Sequence, residues 1–475
     1  MQRKALETIV TDGKNAFVTG AAGTGKSFLL RRIIESLEAL KRKVAPTAVT
    51  GNAALQLSGA RTVNSFFEVG IAKESVHELV QRAKKNRRVL ERLRETEVLI
   101  IDEISMCTIH LFEAMDAILK YARRSEFPFG GLQLVLCGDF GQLPPVVTES
   151  EKRSKDFVMT TKLWKEAELE HIELTEVMRQ KDAEFVALLQ RVRVAEHTKE
   201  DVELLKSRVG KEVVTPEGIR PVNVFSHNTD VDRLNMIELG KIDGPPKVFK
   251  YLDVRVKAAD AGKDANTKLE KMAEALARSV NVSTEIALKE GAQIILCANM
   301  NVRMGLVNGS VGRIVRFAKR DEKEFESHSL ALFRTKEVRM RFPDVPELPV
   351  VEFETADRRK VRFILGYTYW SMEDEAVGSV MFWQLPVRLG YAITVHRSQG
   401  QTIPYLVADP SKIFQHGMFY VLLSRARSLE GVSFLSFDPK VIHADDSFLR
   451  FQRRGLVEEV DDDAPVGEEE EEAWW

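Results

Sequence analysis

The chain has 475 residues, 44% of them hydrophobic, with 69 Lys and Arg against 71 Asp and Glu. That length suggests about three domains, and the composition excludes a mainly disordered chain. No uncharged apolar run reaches the roughly 18 residues of a membrane helix, and MQRKALETIV lacks the apolar core of a secretory leader.

In chain order, Ala16–Thr19 reads as a buried parallel strand. It runs into Gly20-Ala21-Ala22-Gly23-Thr24-Gly25-Lys26-Ser27, which fits G-x4-G-K-[ST], and then into the helical SFLLRRIIESLEAL. Strand, glycine loop and helix in that order make a phosphate cradle: glycines let backbone N–H groups turn inward, and the helix N-terminus favours an anion. Lys26 would reach the β- and γ-phosphates of a nucleoside triphosphate, and Ser27 would ligate Mg²⁺. Residues Lys73–Thr96 are charged and amphipathic, reading as helix over the sheet or an inserted wedge. VLIIDEISM then places Asp102 and Glu103 at the end of a second apolar strand, Val98–Ile101. After a P-loop, Asp102 suits the Mg²⁺ water shell and Glu103 the proton of the attacking water.

A third strand, Leu132–Leu136, ends at Cys137-Gly138-Asp139. The alternation predicts a parallel sheet with helices on both faces. A second αβ unit begins near Glu173, with a strand at Val222–Phe225, and Lys257–Ser283 reads as helix or linker. From Ala292 five short β-rich runs (QIILC, GRIVRF, PVVEFE, KVRFILGYTYW, VMFWQL) predict a small inserted antiparallel barrel; αβ texture resumes after Pro386. Cys107, Cys137 and Cys297 are too few and too scattered for a disulfide framework or a four-ligand zinc site, and point to a reducing, intracellular setting. The chain ends in an acidic stretch, Glu458–Glu472, with ten carboxylates and no Lys or Arg. Without it 61 acidic residues face 69 basic ones, a formal +8, which permits nucleic-acid binding. The tail 458–475 is expected to be disordered: a solubilising tail, a docking segment for a protein partner, or a mimic of single-stranded DNA with Trp474 and Trp475 in place of bases.

LVLCGDFGQLPPV resembles superfamily 1 helicases, with Gln142 as the γ-phosphate sensor. TAVTGNAA, RTVNSF, LTEVMRQKDAEF, LKEGAQIILCANMNVRMGLVNGSVGRI, QLPVRLGYAITVHRSQGQTI and GMFYVLLSRARSLEGV follow in the family's order. The chain is identified as similar to Pif-type DNA helicases of superfamily 1B, over about residues 2–440. The resemblance implies an α/β fold: two RecA-like P-loop domains, 1–172 and 173–475. The first would carry a helical wedge insertion at about 67–91, the second an SH3-like β-barrel at about 290–383. It further implies an adenine-reading Gln2, and Arg179 and Arg425 as the arginines presented to the γ-phosphate. Thr50, Gly51, Ser65, Phe66, His396, Ser398 and Gln399 would form a DNA track, with Phe66 stacking on a base; Asn308 and Gly309 would form a structural turn.

Departures from the family pattern are Asn64, Glu68, Asn52 and Leu422, the first two bearing on the grip on DNA. The implied activity is a monomeric, ATP-driven motor moving 5′ to 3′ on single-stranded DNA and opening forks or structured DNA. Its setting would be repair, recombination, replication or telomere maintenance, in the nucleus or mitochondrion of a eukaryote or the cytoplasm of a prokaryote, with no membrane partner. The chain begins at the helicase core, so a regulatory or targeting extension is expected to be absent. Two rivals are a RecD-like helicase, against which ISMCTIHLFEAMDAILKYAR argues, and a DNA-stimulated ATPase switch that does not separate strands.

Overall fold

The computed structural model describes residues 1–454 apart from 55–56, 58, 71, 73, 146–155, 216–217, 260, 263, 280–281, 302–303, 305, 320–346, 355–358 and 375–376. The acidic tail 458–475, with every expectation attached to it, lies outside the described residues.

Six strands form the first sheet: β1 (Ala16–Gly20), β2 (Val44–Ala48), β3 (Arg61–Thr62), β4 (Val98–Asp102), β5 (Gln133–Cys137) and β6 (Glu170–Leu174). All run parallel, in the order β3-β2-β4-β5-β1-β6. The central strands are near-continuous apolar runs because helices cover both faces. Alternation along each strand divides the side chains between two cores. Phe17, Leu99, Ile101, Leu134 and Leu136 enter one; Ala16, Val18, Val98, Ile100, Val135 and Cys137 enter the other.

Helix α1 (Lys26–Ala39) closes the second of these cores with Leu29, Leu30, Ile33, Ile34 and Leu37, one helical face at i, i+4, i+8 spacing. On the opposite face lie α2 (Val76–Lys84), α3 (Arg87–Glu95) and α4 (Ile109–Arg123). The stretch 73–96 is thus two helices. Ser75 and Glu78 form a capping box for α2, and the Asn86 side chain accepts from the Val89 N–H to start α3. Leu79, Ala83, Val89, Leu90 and Leu93 bury their apolar stripe in the first core.

The chain leaves this sheet after Leu174 and enters the second unit through α5 (Ala183–Arg193). Strand β7 (Val222–Phe225) and α6 (Asn228–Gly240) precede a long antiparallel insertion. Its strands are β8 (Lys247–Lys250), β9 (Leu252–Lys257), β10 (Glu285–Leu288), β11 (Gln293–Leu296), β12 (Val311–Lys319) and β13 (Glu347–Glu354). β14 (Lys360–Ile364), β15 (Thr368–Asp374), β16 (Gly378–Gln384) and β17 (Val387–Leu389) complete it. They pair as β14-β13-β12-β11-β17, β15-β16-β9 and β10-β8. The pairing is wider than the 290–383 span read from the sequence, since β9 pairs with β16 and β17 with β11. Residues 257–283 supply α7 (Ala265–Ser279), whose Leu269 and Leu276 pack with Trp370 and Phe382 on the three-stranded sheet.

The parallel sheet then resumes with β18 (Ala392–Thr394), β19 (Leu406–Ala408) and β20 (Val432–Phe434), in the order β18-β7-β19-β20. Helix α8 (Met418–Leu423) is buried along its whole length in the core of this unit, Leu422 included. The last described helix, α9 (Asp446–Arg454), corrects the assignment of everything after residue 172 to the second domain. Its Phe448 belongs to the core of the first unit, and its Phe451 ring lies 6.2 Å from Phe17 and 5.8 Å from Phe140. The chain therefore returns to the unit in which it began. Among the described residues no helix is long and apolar enough to cross a membrane.

Candidate nucleotide cleft and nucleic-acid face

The glycine loop leaves the end of β1 and opens α1, with Gly25 as N-cap in the left-handed region. Gly23 has φ +83°, and a Cβ there would stand 2.7 Å from the Cβ of Arg179. Only glycine lets the loop of the first unit and the LTEVMRQ segment approach so closely. The Met178 N–H also donates to the Gly23 carbonyl at 2.8 Å. The Gln2 side chain lies beside the loop: a Cβ on Gly25 would stand 3.7 Å from its Nε2.

A cleft of about 830 Å³ opens here, lined from the first unit by residues 22–27, Asp102, Glu103 and Gln142, and from the second by Arg425 and Thr402, with Arg179 between them. Lys26 Nζ donates to the carbonyls of Gly20 (2.7 Å) and Ala21 (3.1 Å), so the ammonium is folded onto its own loop. Asp102 accepts the Glu103 N–H at 2.9 Å, and Glu103 sits at φ +56°, an uncommon conformation for a side-chain-bearing residue. Burial raises the Asp102 carboxyl, and burial together with the adjacent Asp102 raises Glu103 to about 7. The buried Asp102 and half-buried Glu103 at the end of one strand, with the Ser27 hydroxyl lining the same cleft, are oxygen donors that suit a hard divalent cation carrying phosphate and water as its other ligands.

Arg179 and Arg425 meet on the opposite wall. Arg179 Nη1 donates to the Ser424 carbonyl at 3.0 Å, and Arg425 Nε donates to the Val421 carbonyl at 2.7 Å. Burial lowers Arg179 to about 9, with Arg425 adding repulsion, and burial lowers Arg425 to about 10. Arg425 is buried and Arg179 half-buried, and the Arg425 guanidinium disfavours the charge on Arg179. Gln180, not singled out in the sequence, fixes this wall by donating to the carbonyls of Ser424 (3.1 Å) and Ala426 (2.7 Å).

Several expected DNA-track residues are placed elsewhere. Phe66 is 5% exposed, edge-on to Phe67 and covered by the Arg92 guanidinium 5.3 Å away; its ring belongs to the core rather than to a stacking surface. Ser398 is fully buried and spends its hydroxyl on the Val395 carbonyl at 2.7 Å. Gln399 is buried and donates to the Glu103 carboxylate at 3.1 Å. Gln142 donates its amide to Asp139 at 3.0 Å.

Thr50, Gly51 and Ser65 remain partly exposed beyond the ends of β2 and β3, with Thr50 Oγ1 accepting from Ala53 and the Ser65 N–H donating to Thr62. The departing residues are held internally: Asn64 donates to the Gly70 carbonyl, and Glu68 accepts from Asn86 and Arg92. Leu422 fills core, and Gly309 packs against Gln401 and Thr402. His396 is half-buried, its ring 6.4 Å from Phe414, which is 55% exposed and 5.5 Å from His227. These three rings come from the segments that follow β18, β19 and β7, a one-turn helix (Val395–Ser398) carrying His396, at the end of a parallel sheet where ligands gather. No motif in the sequence marks Phe414 or His227.

Replacing Phe66 with Ala is expected to cost about 3–5 kcal/mol of stability, the usual price of a buried aromatic. Phe414→Ala should leave the melting temperature unchanged and weaken single-strand binding by roughly 1–3 kcal/mol, the worth of one stacked base. Thermal melts beside fluorescence-anisotropy titrations separate the two outcomes.

Comparison with known proteins gives a consistent picture. The family model described as PIF1-like helicase matches residues 1–203, and that described as DNA helicase Pif1, 2B domain matches residues 271–317. The chain is 35% identical to the ATP-dependent DNA helicase PIF1 of Danio rerio over 95% of its own length and 63% of that protein. To the human protein of the same name it is 33% identical, over 99% of this chain and 66% of the other. It thus spans a little under two thirds of these relatives. The crystal structure of Pif1 helicase from Candida albicans superimposes with a TM-score of 0.73 at 33% identity, covering 95% of this chain and 98% of that one.

Proposed function

The chain belongs to the PIF1-like helicase family, and on that premise we propose that it is an ATP-dependent DNA helicase that moves 5′ to 3′ along single-stranded DNA and opens the duplex ahead. One observation carries the reading: Arg179 and Arg425 face Lys26, Asp102 and Glu103 across one cleft formed between two α/β units. Hydrolysis in such a cleft is coupled to the relative motion of its walls.

In this reading Lys26 and the loop N–H groups hold the phosphates, Ser27 and Asp102 hold Mg²⁺, and Gln2 reads the base. Bound ATP with Mg²⁺ supplies the transferable phosphoryl group. Glu103, oriented by Gln399, accepts the proton of the attacking water, and its raised affinity for a proton suits a general base near neutrality. Arg179 and Arg425 neutralise charge on the equatorial oxygens as they spread in the transition state. The strand would cross Thr50, Gly51 and Ser65 on the first unit, then stack on the Phe414 ring between His396 and His227. The helices α2 and α3 would stand as a wedge at the fork, and β11–β16 would form the SH3-like barrel.

Displacement of streptavidin tests translocation without any duplex. A 3′-biotinylated oligonucleotide should lose its streptavidin in the presence of ATP, and a 5′-biotinylated one should keep it. The reverse preference would overturn the assigned direction.

A further inference from the structure

A densely bonded buried polar group at the boundary between the two units has no place in the chemistry above. Tyr420, in the middle of α8, is 2% exposed, and its hydroxyl accepts the backbone N–H of Ala22 in the phosphate loop at 2.8 Å. Beside it, Asp139 at the end of β5 is fully buried and accepts Arg193 Nε (3.0 Å) and Nη2 (2.7 Å) from α5. The same carboxylate accepts the Gly141 N–H at 3.0 Å and the Gln142 amide at 3.0 Å. The Arg193 guanidinium lies 5.1 Å over the ring of Phe448 in α9.

Ala22, Asp139 and Gln142 belong to the first unit, whereas Tyr420 and Arg193 belong to the second. Burial is opposed at Asp139 by Arg193 and Lys26, which hold its carboxyl below the ordinary range; burial pushes the Tyr420 phenol up to about 12, so it stays a neutral hydroxyl. Helix α8 also leads directly into Ser424, whose carbonyl holds Arg179 and Gln180, and into Arg425.

We propose that Tyr420 is a positioning residue that latches the second α/β unit onto the phosphate loop, so that Arg179 and Arg425 are delivered to the cleft as one rigid piece with α8. The phosphate loop donates its Ala22 N–H to the second unit, and the Asp139–Arg193 pair holds Gln142 to the same frame. A buried N–H deprived of its acceptor is costly, so loss of the hydroxyl weakens docking of the two units in the absence of nucleotide. Tyr420 touches no reacting atom in this account. The inference rests on the nucleotide-cleft reading.

The test uses the full chain with dyes on Ala39→Cys and Glu203→Cys, exposed positions in the first and second units, the three native cysteines being buried. Without nucleotide, single-molecule energy transfer should show one narrow distance population, and Tyr420→Phe should spread it toward longer distances. The same variant should lower kcat for DNA-stimulated hydrolysis about 2- to 12-fold, one hydrogen bond's worth, with KM for ATP nearly unchanged. Combined with Arg193→Lys, its effect on kcat should fall short of the product of the single effects, because the two residues act in one network. An unchanged distance distribution in Tyr420→Phe would overturn the latch, as would full additivity with Arg193→Lys. The distance measurement needs no hydrolysis, so a failed latch and a failed nucleotide-cleft reading give different results.

Discussion

Glu103→Gln should bind ATP with near-normal affinity and hydrolyse it roughly 10²–10⁴-fold more slowly, the range lost when a positioned general base is removed. The amide keeps the size of the carboxylate and its bond to Gln399, but it cannot take a proton. Its left-handed backbone conformation is unaffected by the exchange, so the loss is chemical rather than structural. Rapid-quench turnover with DNA present, beside a fluorescent-nucleotide titration, measures both quantities. Turnover within threefold of wild type would remove Glu103 from the reaction.

A second large effect is expected at Arg179. Arg179→Ala should reduce DNA-stimulated kcat by about 10³-fold or more, as loss of an arginine finger does elsewhere, while ATP affinity changes far less. The guanidinium is held by the Ser424 carbonyl and repelled by Arg425, and in the proposed chemistry it would meet an anion that gathers charge as the reaction proceeds. Lys in its place keeps a charge but loses the planar fork, and should recover only part of the rate. If affinity fell and kcat did not, Arg179 would be a ground-state contact.

The parts of the site legible in the sequence are those whose spacing is local. Gly20–Ser27 and Asp102-Glu103 are each read within a few residues of one strand end, where geometry follows from chain direction alone. Parallel strands β1, β4 and β5 are equally plain as apolar runs. What sequence could not place depends on which side of a short helix faces inward. RTVNSF does not say that Phe66 turns under Arg92 rather than outward, nor does HRSQG say that Gln399 turns toward Glu103. The rest is long-range. Tyr420 meets Ala22 across 398 residues, Asp139 meets Arg193 across 54, and the amphipathic SFLRFQRR gives no hint that it docks on Phe17. Onset of the antiparallel insertion at β8 was hidden because KVFK and LDVRVK are charged edge-like strands rather than apolar runs.

The most direct test of the central claim is strand separation on two otherwise identical duplexes, one with a 5′ single-stranded tail and one with a 3′ tail. With ATP and Mg²⁺, the protein should unwind the 5′-tailed duplex and leave the 3′-tailed duplex intact. DNA-stimulated hydrolysis with neither duplex opened would contradict the account and identify the protein as an ATPase switch.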